Sequence, residues 1–301
     1  TRTATFNVEN NETVTCTFTN ILLPKLTITK TVINHGLSYS ADYFGPYKVG
    51  TTTVTLGQAT TFDPGIYTVS ETTDPNYTAT FGGACDSSGS VTLEAGDNKT
   101  CTITNEEKLT HLTLVKTVTN NDGGQALATA WTLTATGPTT ISGKTGDTSI
   151  TNAVVNSGTY TLSESGGPSG YTPGKWSCTG GSLSENQITL SSGQSATCTI
   201  TNNDQAGTLV VKKVVVNDNG GTLGAADFTF KIGDGEPVSF EADGQNDITI
   251  NAGTYTITEP AVSGYTTTYD NCTGVVVANG GTQTCTITNN DQAGTLVVKK
   301  V

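Results

Sequence analysis

Cys101-Thr102-Ile103-Thr104-Asn105 is a phrase that the chain repeats, as CTFTN at 16–20 and as CTITN at 101–105, 198–202 and 285–289. A few residues after each copy comes an alternating run that ends in lysine. These runs are LTITK at 26–30, LTLVK at 112–116, LVVKK at 209–213 and LVVKK again at 296–300. A strand that closes one unit, followed at once by a strand that opens the next, is the mark of a tandem array. Lys30, Lys116, Lys213 and Lys300 are spaced 86, 97 and 87 residues apart. That spacing is the size of a small β-sandwich domain able to bury its own core.

The repeat defines the expected organisation. Residues 1–22 read as the closing strands of a partial unit. Whole β-sandwich repeats follow at 23–108, 109–205 and 206–292, and 293–301 reads as the opening strand of a further one. Linkers of five or six residues leave little room for independent motion, so an extended row is expected. The fold class is all-β, with Ig-like sandwiches in tandem. Period-two alternation dominates, with an aromatic strand expected around Tyr43–Phe44, and no amphipathic helix stands out.

Composition narrows the function. Apolar residues make up 34% and charged residues 13%, which suits short half-buried strands carrying Thr outward, joined by Gly- and Asn-rich turns. A formal charge of −12 argues against nucleic acid or an anionic membrane as partner. No apolar run has transmembrane length, and the N-terminus reads without a signal peptide. The chain opens inside a unit and stops just after a lysine, as a window on a longer polypeptide would.

Six of the seven cysteines fall in pairs, Cys85/Cys101, Cys178/Cys198 and Cys272/Cys285. The second member always stands four residues before the Asn. Cys16 holds that second-member place in the partial first unit and is left unpaired. This pattern predicts disulfides and an oxidising, extracytoplasmic compartment. A zinc site is disfavoured, since no CxxC occurs and His35 and His111 are solitary.

Strand parity then singles out three polar residues in every repeat. Residues two apart share a face. Leu26 and Ile28 point inward, and so does Lys30; Tyr67 and Val69 point inward, and so does Glu71; Cys101 and Ile103 point inward, and so does Asn105. The same parity selects Lys116, Glu164 and Asn202, and then Lys213, Glu259 and Asn289, with Lys212 left to solvent. An ammonium, a carboxyl and a carboxamide sent into one core must meet or leave it, because a buried unpaired charge costs several kcal/mol. Two arrangements satisfy them. One is non-covalent, a buried salt bridge with a hydrogen-bonded Asn or three strand-end residues that reach water. The other is an amide condensed between Lys and Asn with loss of ammonia, the Glu shuttling the proton. Burial favours the neutral amine as nucleophile and the neutral acid as donor.

LTITK…GIYTVSETTDPNYT…CTITN resembles the B-type repeat of Gram-positive collagen adhesins and the prealbumin-like (SpaA-like) domains of pilins. The resemblance implies an intramolecular isopeptide bond in each whole repeat, Lys30–Asn105, Lys116–Asn202 and Lys213–Asn289, with Glu71, Glu164 and Glu259 as proton shuttles. Asn20 and Lys300 match the same motif without their partners. The cysteine pairs depart from many members of that family. The implied function is a cell-surface stalk or pilus-like fibre, and the alternative is an adhesin module whose repeats bind a surface ligand. Expected partners are neighbouring repeats of the same polymer, a self-assembled fibre, and an unidentified surface ligand. No cofactor is implied, and any catalysis would be single-turnover and self-directed.

Other signals weigh less. NNDGG (120–124), NDNGG (217–221), GDGEP (233–237) and EADGQND (241–247) invite a calcium reading. They lack EF-hand spacing and read better as turns, so no metal is expected. GPTTISGKT (137–145) has one residue too many for a phosphate loop.

Overall fold

The computed structural model describes residues 4–300. The chain parts into two compact units between Leu109 and Thr110. Among the described residues the regular elements are strands, apart from three short 3-10 turns.

In the first unit the opening strand, Lys25–Ile33, lies between Thr60–Thr61 and the closing strand, Asn98–Glu107, which Tyr77–Gly83 flanks on its other side. Opening and closing strands run parallel, with Ile28 beside Cys101 and Val32 beside Asn105. Their outer neighbours are antiparallel. A second sheet runs Thr52–Val54, Tyr47–Val49, Gly65–Ser70, Ser90–Leu93. Inward residues of both sheets, among them Leu26, Ile28, Val49, Val69, Leu93 and Ile103, form one core. Alternation explains the layers. In the closing strand Cys101, Ile103, Asn105 and Glu107 are buried, whereas Thr100, Thr102 and Glu106 face water.

The second unit holds two sets of sheets with the same plan. In one, Thr110–Thr119 pairs in parallel with Ser195–Asp204. It packs through Leu112, Leu114, Leu133, Tyr160 and Ile188 against a sheet centred on Gly158–Gly166. In the other, Gly207–Val216 pairs in parallel with Thr282–Asp291. Two smaller sheets, built on Thr229–Ile232 and on Gly253–Tyr255, complete its core around Phe228, Phe230, Ile257 and Val277. Among the described residues no strand pair joins one repeat to the next. In all three the first and last strands are therefore neighbours, although the sequence holds them far apart.

The disulfides form as the spacing predicts, Cys85–Cys101, Cys178–Cys198 and Cys272–Cys285, closing separations of 16, 20 and 13 residues. In the chain-entropy account loops of this size stabilise by about 3 kcal/mol each. Cys16 is free and exposed.

Two expectations need correction. The aromatic strand expected around Tyr43–Phe44 is a 3-10 turn, Ala41–Phe44, and the strand begins only at Tyr47. The terminal pieces form no strands: 4–22, including Cys16 and Asn20, and 293–300, including Lys300, carry no regular element and are exposed. Phe18 is 74% and Leu296 88% accessible. A closing strand needs its parallel opening strand, and the reverse. Neither fragment pairs with such a strand among the described residues. Residues 1–3 and 301 of those two pieces lie outside the described residues.

Candidate functional site: three buried Lys, Glu and Asn clusters

Each parallel strand pair brings its lysine and asparagine to one spot. Lys30 stands beside Ile103 in the register and Asn105 beside Val32, so the two are offset by two positions on one inward face. The offset is the same for Lys116 and Asn202 and for Lys213 and Asn289. The glutamate arrives from the opposite sheet. Glu71 follows the strand Gly65–Ser70, Glu164 lies within Gly158–Gly166, and Glu259 follows Ile257–Thr258.

The three side chains meet in the second and third repeats. Lys213 Nζ donates to Glu259 Oε2, and to Asn289 Oδ1 at 2.7 Å, while Asn289 Nδ2 donates to Glu259 Oε1 at 2.6 Å. In the second repeat Lys116 Nζ donates to Glu164 Oε2 at 2.6 Å and Asn202 Nδ2 to Glu164 Oε1 at 2.9 Å. In the first, Lys30 Nζ donates to Glu71 Oε2, and Asn105 is buried at 1% accessibility. All three lysine side chains are fully buried. Glu71 and Glu259 are also sealed, and Glu164 keeps 14% of its side-chain surface. The Oδ1 atoms of Asn105 and Asn202 and the Oε1 atom of Glu71 are buried without a hydrogen-bond partner. Three orphaned acceptors in such small clusters are costly, by roughly 1–3 kcal/mol each.

An aromatic ring, whose role parity did not reveal, roofs each lysine. Lys30 Nζ lies 4.7 Å from the centre of Phe44, Lys116 Nζ 4.9 Å from Trp131 and Lys213 Nζ 3.9 Å from Phe228. Each ring sits at or directly after one of the three 3-10 turns, Ala41–Phe44, Ala128–Ala130 and Ala225–Asp227. The rings exclude water and offer a cation–π face. Desolvation holds all three lysines below their ordinary pKa of 10.5, opposed by the hydrogen bond and charge of the neighbouring glutamate. The arrangement therefore moves an amine toward its nucleophilic, neutral form beside a carboxamide and a carboxyl.

That shift has a sign that can be measured. Between the lowered value of folded Lys116 and 10.5, the unfolded chain binds more protons, so stability rises with pH across that window. An Asn202→Ala chain keeps Lys116 as a free amine. Relative to the same chain with Lys116→Met, its unfolding free energy is expected to increase between about pH 8 and pH 10. Urea titrations at both pH values check this, and a flat or falling difference would contradict the lysine's desolvation.

Two of the Asn/Asp–Gly loops, 120–124 and 217–221, wrap an acid from the closing strand. Asp204 accepts from the amides of Asn121, Asp122 and Gly124 at 2.9, 2.9 and 2.7 Å. Asp291 accepts from Asp218, Asn219 and Gly221 at 3.0, 2.8 and 2.6 Å. Glu107 plays this part in the first repeat, accepting from His35 and from Leu37 at 3.0 Å. The amides that a turn presents are thus already filled by a carboxylate, a role the sequence reading did not assign. Burial pushes Asp204 upward, but the Gly124, Asp122 and Asn121 amides and the Asn279 side chain together hold it below the usual carboxylate range.

Comparison with known proteins supports this architecture. The family model described as "Prealbumin-like fold domain" matches residues 107–200 and 204–295, more than half of the chain. The chain belongs to the prealbumin-like fold domain family. The matched stretches include Lys116 and Glu164, then Lys213, Glu259 and Asn289, and Asn202 falls just beyond the first of them. No curated protein sequence matches the chain. Among solved structures it is similar to the Bacillus anthracis TIE protein, at 20% identity and TM-score 0.55, covering 90% of this chain and 51% of that one. Matches also include the pilus adhesin SpaC of Lactobacillus rhamnosus GG (15%, TM-score 0.30, covering 90% and 44%). The two B repeat units of the collagen binding protein of Staphylococcus aureus match as well (14%, TM-score 0.25, covering 89% and 75%). At these identities the first likeness speaks for the fold alone. The chain spans about half the length of the TIE protein.

Proposed function

We propose that this member of the prealbumin-like fold domain family is a segment of an extracellular stalk or pilus-like fibre, each repeat closed by a Lys–Asn isopeptide bond. The repeats in this reading are 23–108, 109–205 and 206–292, and the partners are neighbouring repeats of the same polymer. One observation carries the reading. In three separate cores a lysine from the first strand and an asparagine from the last are buried on one inward face, with a glutamate against the lysine.

The chemistry is self-directed and runs once. The neutral Lys Nζ attacks Asn Cγ, a C–N bond forms, and the Cγ–Nδ2 bond breaks. The Glu carboxyl takes the proton released by the amine and passes it to the leaving nitrogen, which departs as ammonia. Fixed contact supplies the effective concentration that such a sluggish exchange needs.

Topology supplies the purpose. Because the first and last strands are parallel neighbours, a pull along the chain passes from Lys to Asn, and residues 30–105, 116–202 and 213–289 are bypassed. The disulfides fit the oxidising compartment in which a surface fibre works. Single-molecule pulling between the ends of the oxidised chain is expected to release none of the three bypassed segments. Stepwise unfolding that frees the length of whole repeats would refute the tension-bearing role.

A further inference from the structure

Within the second unit, the end of the second repeat is a socket, and the third repeat fills it. Asn279 Nδ2 donates to Asp122 O at 3.2 Å, to Asp204 Oδ2 at 3.3 Å and to Gln205 O at 3.2 Å. Gly280 N donates to Gln205 O at 3.0 Å, and Ala252 N to Asp122 O at 2.8 Å. The fit is close at the backbone. A Cβ on Gly123 would stand 2.4 Å from Ala252 O, and one on Gly170 would stand 2.2 Å from Asn279 O. Gln205 is itself fixed, its N–H on Gly170 O at 2.9 Å and its Nε2 on Thr172 Oγ1 at 2.7 Å.

The third repeat ends in the same parts. Asp291 holds the loop 217–221 as Asp204 holds 120–124. Tyr265 OH donates to Asn217 Oδ1 at 2.6 Å, as Tyr171 OH does to Asn120 Oδ1 at 2.6 Å. Gln292 N donates to Gly264 O at 2.8 Å and its Nε2 to Thr266 Oγ1 at 2.9 Å, reproducing Gln205. The peptide CTITNNDQAGTLVVKKV that carries the socket acid and its linker is identical at 198–214 and 285–301. What differs is occupancy. Gly220 and Gly264, with φ +96° and +84°, correspond to Gly123 and Gly170, yet a Cβ on either would meet nothing within 4 Å. Asn219, at the place of Asp122, folds its own amide onto Asp291 O at 3.1 Å and Oδ1 at 3.3 Å, the kind of carboxylate bond that Asn279 makes to Asp204.

We infer that the surface around Asp291, Gln292, Gly220 and Gly264 is a docking socket for an Asn-Gly-Gly turn of a further prealbumin-like repeat built like the third. The turn's carboxamide takes the carboxylate that Asn219 holds, and its backbone lies against the two glycines. Asn279 is already spent in its own chain, so the occupant is a further repeat and not a second copy of this one docked by that turn. The joint needs no isopeptide bond, so its test is separate from that of the stalk reading.

The test extends the full chain past Val301 with a second copy of residues 215–292, leaving 293–301 to serve as 206–214 do. Hydrogen exchange is read at the added counterparts of Ala252 and Gly280. Protection at least about tenfold above that of exposed turn amides is expected, and replacing the added counterpart of Asn279 by Ala is expected to abolish it. A folded added repeat, recognised by its disulfide and protected core strands, with unprotected joint amides would overturn the proposal. Should the added repeat fail to fold, Asn279→Ala in the present chain decides. Exchange at Ala252 and Gly280 is expected to rise about tenfold, and no change would overturn the role given to the turn.

Discussion

Replacing Glu259 with alanine is expected to destabilise the third repeat by about 3–5 kcal/mol and to leave its lysine and asparagine uncondensed. Lys213 and Glu259 are both fully buried, so the substitution strands a buried amine with the Asn289 carboxamide oxygen as its remaining hydrogen-bond acceptor. Removing one partner of a buried pair costs far more than removing both. The double replacement Lys213→Met with Glu259→Leu therefore separates the two arrangements that parity leaves open. If the cluster were only a salt bridge, the apolar pair would restore most of the loss. If an amide joins Lys213 to Asn289, the apolar pair has no bond to restore and stays well below the parent. Hydrogen exchange in the strands Gly207–Val216 and Thr282–Asp291 reads the third repeat alone.

Trp131→Ala is expected to cost the second repeat a similar amount, about 3–5 kcal/mol. The ring is 3% accessible, meets Tyr171 edge-on with centroids 5.4 Å apart, and lies 4.9 Å from Lys116 Nζ. Truncation leaves a cavity and also lets water reach the amine. Since desolvation is what holds Lys116 below 10.5, its pKa would move back up and the neutral fraction at physiological pH would shrink. Slower condensation should accompany lower stability, and Trp131→Phe should recover much of both. Trp176, the other tryptophan of the chain, packs against the same core and reports unfolding by fluorescence. A Trp131→Ala chain that unfolds like the parent would remove the ring from the site.

Strand parity could read the clusters because their positions obey a period of two. Lys30, Glu71 and Asn105 each continue an inward-facing row, and the rows end where the strands end. The aromatic roof obeys no such rule. Phe44, Trp131 and Phe228 are delivered by 3-10 turns, whose direction depends on the chain on both sides and not on alternation. The caps Glu107, Asp204 and Asp291 do sit on the inward row of the closing strand, two residues past the Asn. An acid there could have been recognised as a further buried group, but its partners are backbone amides, which carry no sequence signal. The terminal fragments show the opposite limit. CTFTN at 16–20 and LVVKK at 296–300 have the pattern of strands, but pattern makes a strand only where a neighbour accepts its hydrogen bonds. The joint at Asn279 was not legible at all, because nothing local tells an Asn-Gly-Gly turn that its partner lies in the preceding repeat.

The intact mass of the whole chain, measured after complete reduction so that the disulfides do not contribute, tests the central claim most directly. The account predicts a mass three ammonia molecules below that of the sequence, with Glu71→Ala, Glu164→Ala and Glu259→Ala each restoring one. A reduced chain at its full sequence mass would contradict it, and the three clusters would then be buried salt bridges and nothing more.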